Sequence, residues 1–308
     1  SIGLEQNRLQ NIKFDKIAIT NLTIDHLDYH KTFKNYRYCK SLLLRKHYHK
    51  NTIVVINADT KESDYFKNIS KKNHLKILDY GKKARYFKLL KLNKIKDGFE
   101  VYVSMNNKKF VINFNCSAIY QVYNQICALL LVYGENFLNK EIKKISLSDP
   151  DGRLEKVYDS NNKRIFVDYA HTPDALKNVL YNLSDKIKGR LIIVFGCGGD
   201  RDSSKRSLMT KEALKYCDKI YLTSDNPRNE SLEKIFEDMK KGILKKSLEG
   251  VLTINDRKKA IEKAMDDLKT GDILLVAGKG HENYQIIKNK IIPFSDKKVI
   301  LDRLSSNE

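Results

Sequence analysis

The 308-residue chain carries 58 Lys and Arg against 38 Asp and Glu, a net charge of +20, with 41% apolar residues and five cysteines. That length supports two domains that each bury a core, and no apolar run approaches the roughly 20 residues that a membrane-spanning helix needs. The charge is lysine spread over helix faces, without arginines interleaved with aromatics, so nucleic acid is not the expected partner.

In chain order, the opening "SIGLEQNRLQ" has no initiator Met and no signal or transit peptide, and it reads as a start inside a domain. Residues 14–22 predict a strand that ends in the polar loop "TIDHLDYH", which offers Asp25, His26, Asp28 and His30 as donors for a divalent cation or as plain surface residues. A helix over 33–47 follows, then the strand "TIVVINAD". On that helix Lys40 has Tyr36, Leu43 and Leu44 at i−4, i+3 and i+4, a partly apolar face. A lysine so placed either snorkels to solvent or, partly desolvated, has a larger neutral fraction that reacts with electrophiles such as CO2. Residues 99–114 predict a hairpin with "NN" at the turn, and 117–133 a buried helix. The turn-rich "SLSDPDGRLEK" (146–156) marks the candidate domain boundary, giving domains 1–148 and 149–308. The cysteines (39, 116, 127, 197 and 217) lack metal-ligand spacing and read as reduced, intracellular thiols.

Beyond the boundary, strands begin "RIFVDYAHTP", "RLIIVFGCGGDRD", "KIYLTSDNPRNE" and "GDILLVAGKGHENY", the first three followed by helices. Such units imply a parallel sheet with helices on its faces. The four loops "DYAHTP", "GCGGDRD", "SDNPR" and "AGKGHE" then share the carboxyl edge, where ligands gather. Neither glycine loop fits the phosphate-loop template G-x-x-x-x-G-K-[ST]. Gly196, Gly198 and Gly199 still allow backbone to approach a ligand, and Arg201 behind them suits a carboxylate or phosphate. Arg228, fixed by Pro227, adds a second cation and Glu282 an anion, a set that suits a zwitterion such as an amino acid.

Together these strings resemble the Mur ligases. "GLEQNR", "TNLTIDHLDYH", "YCKSLL", "VVINAD", "GRLE", "VDYAHTPDAL", "GCGGDRD…KR", "DNPR" and "GKGHENYQ" run in the family's order over nearly the whole chain. The resemblance implies an α/β fold: the C-terminal part of a central ATP-binding domain (1–148), then a Rossmann-like, mostly parallel domain that binds the amino acid (149–308). It implies a cytoplasmic, ATP- and Mg²⁺-dependent amide ligase of peptidoglycan synthesis that adds meso-2,6-diaminopimelate to UDP-MurNAc-L-Ala-D-Glu through an acyl phosphate. Residue by residue, Gln6 and Arg8 match positions that hold the UDP-MurNAc-dipeptide. His26 matches a magnesium-site histidine, and Lys40 the lysine that becomes carbamylated and so a metal ligand. Arg153 and Asp168 match nucleotide- and catalysis-associated positions, with Asn124 and His171 near the ATP. Arg201, Asp225, Asn226, Pro227, Arg228, Gly278 and Glu282 match the diaminopimelate pocket. The arginine of "DNPR" goes with diaminopimelate rather than lysine, because only the former offers it a second carboxylate.

The chain departs from the family where "QVYN" stands for N-V-x-N, so Gln121 replaces an Asn and only Asn124 fits. The family's phosphate loop, first domain and the acidic metal ligand after the loop would lie upstream of Ser1, and the chain alone is expected not to turn over. The alternatives are a lysine-adding Mur ligase or a folylpolyglutamate synthetase-like ligase, both disfavoured by "DNPR", and a basic nucleic-acid-binding module.

Overall fold

The computed structural model describes residues 1–96, 98–139, 150–185 and 187–306. The chain divides into two compact units, residues 1–148 and 149–308, each with its own sheet. Residues 146–149 of the turn-rich boundary stretch lie outside the described residues.

In the first unit a short turn, α1 (Ile2–Glu5), precedes β1 (Phe14–Ile19). The "TIDHLDYH" segment is not a continuous loop, because Leu27–His30 closes into a helical turn, α2. α3 (Phe33–Lys46) starts where the Thr32 hydroxyl accepts the Asn35 N–H, an N-cap that satisfies a free donor of the first turn. β2 (Tyr48–Asn57), α4 (Ser63–Lys72), β3 (Lys76–Gly81) and β4 (Phe87–Ile95) follow, and β1 to β4 pair in parallel in chain order. Val54, Val55 and Ile56 of β2 are all fully buried, as expected of a parallel strand covered on both faces. One face packs on α3 and α4 through Leu44, Phe66 and Ile69. β5 (Gly98–Met105) and β6 (Lys108–Phe114) extend the sheet antiparallel, joined at Asn106 and Asn107, whose φ of +49° and +61° suit a two-residue primed turn. α5 (Ile119–Tyr133) lays Val122, Ile126, Leu129 and Leu130 on the other face.

In the second unit β8 (Lys163–Asp168), β9 (Leu191–Phe195), β10 (Lys219–Leu222), β11 (Val251–Thr253) and β12 (Ile273–Ala277) are parallel in the spatial order β11-β10-β9-β12-β8. β7 (Glu155–Ser160) closes one edge antiparallel to β8. α6 (Pro173–Ser184), α7 (Ser204–Tyr216) and α8 (Leu232–Lys240) follow β8, β9 and β10. α9 (Arg257–Asp266) and α10 (Asp296–Ser305) cover a sheet face through Ala260, Ile261, Ala264, Val299 and Ile300. A hairpin, β13 (Tyr284–Ile287) and β14 (Lys290–Pro293), stands apart from the main sheet. Because β8, β9, β10 and β12 are parallel, their four following loops do leave at one edge.

Candidate functional site

In the first unit Asp25, His26, Tyr36 and Lys40 come together after β1. The His26 N–H donates to Asp25 Oδ1 at 3.0 Å, and His26 Nε2 lies 3.5 Å from Asp25 Oδ2. Tyr36 stands between the partners: its ring is edge-on to His26 at 6.2 Å and carries the Lys40 ammonium at 5.6 Å. Burial holds Lys40 below the usual lysine range, with the Asp25 carboxylate opposing in part. Burial, with the same carboxylate, pushes the Tyr36 hydroxyl up to about 12. A half-buried lysine amine thus sits beside an imidazole and a carboxylate.

His30 meets the same Tyr36 ring at 5.4 Å, but its two ring nitrogens turn elsewhere. Its ring is buried against α1 and α3, where Nε2 lies 2.9 Å from Ser1 Oγ and Nδ1 3.3 Å from Glu5. The two histidines share the Tyr36 ring, but their nitrogens find different partners, Asp25 for His26 and Ser1 and Glu5 for His30, so the four donors of "TIDHLDYH" do not converge on one point. Burial also lowers the His30 pKa, against the pull of Glu5, which keeps the ring neutral. Gln6 is exposed and donates to the Tyr29 hydroxyl at 3.3 Å; Arg8 is exposed, its N–H bonded to the Gly3 carbonyl. Asn124 lies on the exposed side of α5, whereas Gln121 is buried and accepts the Ala118 N–H at 2.7 Å. Gln121 therefore caps its own helix. Asp59 of "VVINAD" ties the neighbouring loop by accepting the Lys82 and Lys83 amides and the Tyr123 hydroxyl, a role the sequence reading did not assign.

In the second unit Asp168 ends β8 almost fully buried, its two oxygens accepting the Leu154 and Ala170 amides at 2.5 and 2.7 Å. Burial pushes its carboxyl up to about 6, against those two amides and the Arg153 guanidinium, which pull it down. Arg153 lies over the Tyr169 ring at 4.6 Å, and His171 and His281 meet the same ring at 4.7 and 5.4 Å. His171 Nδ1 lies 2.8 Å from the Tyr169 carbonyl. Tyr169 thus gathers Arg153 and His171 with His281, and neither Tyr169 nor His281 was picked from sequence.

The "GCGGDRD" and "DNPR" loops are locked together. A Cβ on Gly199 would lie 1.9 Å from the Pro227 carbonyl oxygen, and the Gly199 N–H donates to the Asn226 carbonyl at 3.0 Å. The close approach at Gly199 is therefore to the neighbouring loop, which corrects the expectation of backbone facing a ligand there. Arg228 takes φ +52°, pairs through its backbone with β13, and donates Nη1 to the Gly199 carbonyl at 2.8 Å. Arg201 remains exposed. The cation that braces the loop from behind is Arg206, which donates to the Gly198 carbonyl and bridges Glu230 and Asp238 at 2.6 to 3.0 Å.

On the next loop Gly278 has φ +113°, and a Cβ there would meet Asp225 Oδ2 at 2.8 Å. Lys279, fully buried, donates to Asn226 Oδ1 at 3.2 Å and Glu282 Oε2 at 3.0 Å, with Asp225 4.0 Å away. Asn226 also donates to Glu282 at 3.2 Å. The rim thus brings Asp225, Asn226 and Glu282 around a lysine that sequence reasoning passed over, although it stands three residues before Glu282, with Gly278 against Asp225 and Pro227 and Arg228 following Asn226 on the same loop. Behind them the fully buried pair Arg257–Asp296 (2.7 and 2.8 Å) also holds the Ser224 and Ala277 carbonyls.

Residues 1–132 match the Mur ligase middle domain and residues 152–280 the Mur ligase glutamate ligase domain. The UDP-N-acetylmuramoyl-L-alanyl-D-glutamate–2,6-diaminopimelate ligase of Aquifex aeolicus is 40% identical over the whole chain, and that of Clostridium tetani 40% identical over 97% of it. The chain spans 62% and 61% of the length of these relatives. A solved ligase of the same description covers 99% of the chain and 63% of its own, with TM-score 0.56 and 34% identity. A Mycobacterium tuberculosis folylpolyglutamate synthase complexed with ADP and AMPPCP shares the fold at TM-score 0.68 and 17% identity, over 87% of this chain and 62% of its own. With the middle and C-terminal domains matched in order and the four polar loops gathered on one edge, the chain belongs to the Mur ligase family.

Proposed function

We propose that these residues serve a cytoplasmic, ATP-dependent amide ligase of peptidoglycan synthesis, joining meso-2,6-diaminopimelate to UDP-MurNAc-L-Ala-D-Glu. The observation that carries the choice of amino acid is Arg228, held on the rim against the Gly199 and Asn226 carbonyls. Diaminopimelate has an amino-acid head at each end. Arg228 and the exposed Arg201 pair with carboxylate, while Asp225 and Glu282 face ammonium. Lysine would leave Arg228 with an ammonium and no anion. The relatives' printed names support the same substrate.

In the proposed reaction the γ-phosphoryl of ATP passes to the D-glutamyl side-chain carboxylate, releasing ADP. The diaminopimelate amine then attacks the acyl phosphate, phosphate leaves, and the amine loses a proton. Gln6 and Arg8 are assigned to the UDP-sugar dipeptide, and Asn124, Arg153, Asp168 and His171 to the nucleotide. With a pKa near 6, Asp168 is ionised at neutral pH but close enough to exchange a proton. Lys40 fits carbamylation: its lowered pKa raises the fraction of neutral amine, the form that adds CO2. The donors on hand fit Mg²⁺, since Asp25, His26 and a carbamate on Lys40 supply two oxygen groups and an imidazole. When bound there, the ion offsets phosphate charge.

The test uses the full-length gene product. Phosphate release from ATP is expected to need both UDP-MurNAc-L-Ala-D-Glu and meso-diaminopimelate. Equal turnover with L-lysine would overturn the pocket assignment.

A further inference from the structure

Three elements of the first unit converge on a set of donors that the proposed ligase chemistry leaves unused. α1 supplies Glu5, α2 supplies His30 and α3 supplies Cys39, and their carboxylate oxygen, ring nitrogen and Sγ all lie within 4.8 Å of one another. The His30 side chain has no exposure, yet its Nδ1 has no hydrogen-bond partner and faces Glu5 Oε2 at 3.3 Å. A buried polar atom left so costs about 1–3 kcal/mol unless something else satisfies it.

The opposite ring nitrogen indicates what that is. Nε2 lies 2.9 Å from Ser1 Oγ, and in the tautomer that donates from Nε2 the Nδ1 atom presents a lone pair towards a carboxylate and a sulfur. Two lone-pair donors that face each other repel unless a proton or a cation lies between them. A hydrogen bond from the other ring nitrogen is also the usual device that orients a metal-binding imidazole.

We infer that Glu5, His30 and Cys39 form a binding site for a borderline-soft divalent cation of the Zn²⁺ class. Tetrahedral coordination at about 2.0–2.3 Å requires ligand atoms roughly 3.3–3.6 Å apart. The His30–Glu5 separation of 3.3 Å already meets that requirement. The nitrogen–sulfur–oxygen set selects against Mg²⁺, which takes an octahedron of oxygens. It shares no residue with the Asp25, His26 and Lys40 group. On binding, the Cys39 S–H proton leaves to solvent and a sulfur–metal bond replaces it. Thiolate and carboxylate then balance the two positive charges. Glu5 is partly exposed, with side-chain exposure of 47%, so a water completes the fourth position from that side.

The test titrates the metal-free chain with Co²⁺ as a spectroscopic stand-in. The expected result is one equivalent bound, with a thiolate charge-transfer band in the near ultraviolet and visible bands of four-coordinate cobalt, all lost on adding Zn²⁺. Cys39→Ser should remove the near-ultraviolet band, and Glu5→Gln, at an exposed position that leaves the fold intact, should weaken binding at least about tenfold. His26→Ala and an extension ahead of Ser1 should leave the band in place. No thiolate band, a band that survives Cys39→Ser, one lost with His26→Ala or the extension, or displacement of cobalt by excess Mg²⁺ would each overturn the site.

Discussion

The surroundings of Lys40 in the first unit and the loop rim of the second hold their charged residues in different ways. Around Lys40 a cation lies over a ring at 5.6 Å and an imidazole lies 3.5 Å from a carboxylate. On the rim of the second unit Arg206, Arg257 and Lys279 are buried and matched to Glu230, Asp296 and Glu282 at 2.6 to 3.0 Å. The first arrangement leaves a group free to change its covalent or protonation state. The second fixes the geometry of the loops at the strand ends. Under the proposed function, reactivity and recognition would be built with different electrostatics within one chain.

The largest effect expected is at the most tightly matched pair. Asp296→Ala leaves the Arg257 guanidinium buried without its carboxylate and should cost about 3–5 kcal/mol in urea unfolding. A loss below about 1 kcal/mol would show that the rim is not fixed in this way. Next comes Asp168, whose folded pKa of about 6 lies above the ordinary 3.8. The folded state therefore holds the proton more tightly than the unfolded chain. The stability this gives is full below pH 3.8 and is lost as pH rises through 6, on the order of 3 kcal/mol at most. Across that interval the wild type should lose more unfolding free energy than Asp168→Asn, which does not titrate. Parallel curves would count against the raised value.

Arg228→Ala should raise KM for meso-diaminopimelate about 10–100-fold in the full-length gene product, the size of one charged hydrogen-bonded contact, and leave KM for ATP unchanged. A change confined to ATP would move Arg228 to the nucleotide. The smallest effect sharpens the other side of the comparison. Asp25→Asn removes the one influence that raises the Lys40 pKa, so the titration of that lysine should move further down, readable by NMR of the labelled side chain. An upward move would mean that the Asp25 carboxylate does not act on the amine.

Much of the framework was legible because periodicity and turn chemistry carried it. β1, β2, β8, β9, β10 and β12 read as apolar runs, and Asn106–Asn107 read as a hairpin turn, whereas α4, β3 and β4 went unread. β11, α9 and the β13–β14 hairpin were not legible either. β11 has three residues, and α9 shows mainly Lys, Glu and Asp around a narrow face of Ala260, Ile261 and Ala264. The site was legible as residue types and not as partners. Arg201 and Arg206 stand five apart in "DRDSSKR", and sequence favoured the first as the cation behind the glycines; the helical run of α7 instead turns Arg206 inward. The ring nitrogens of His26 and His30 find different partners, which their spacing alone does not reveal.

The contact between Gly199 and the Pro227 carbonyl sets a limit on how this family member can diverge. Gly199 cannot gain a side chain without displacing the Pro227 backbone, so a single substitution there is a dead end. Under the proposed function, new amino-acid preferences would arise at exposed positions such as Arg201, whereas Arg228, at φ +52° with Nη1 on the Gly199 carbonyl, is part of the joint. A library aimed at altered substrate choice should spare the glycines and vary only the residues that project from them.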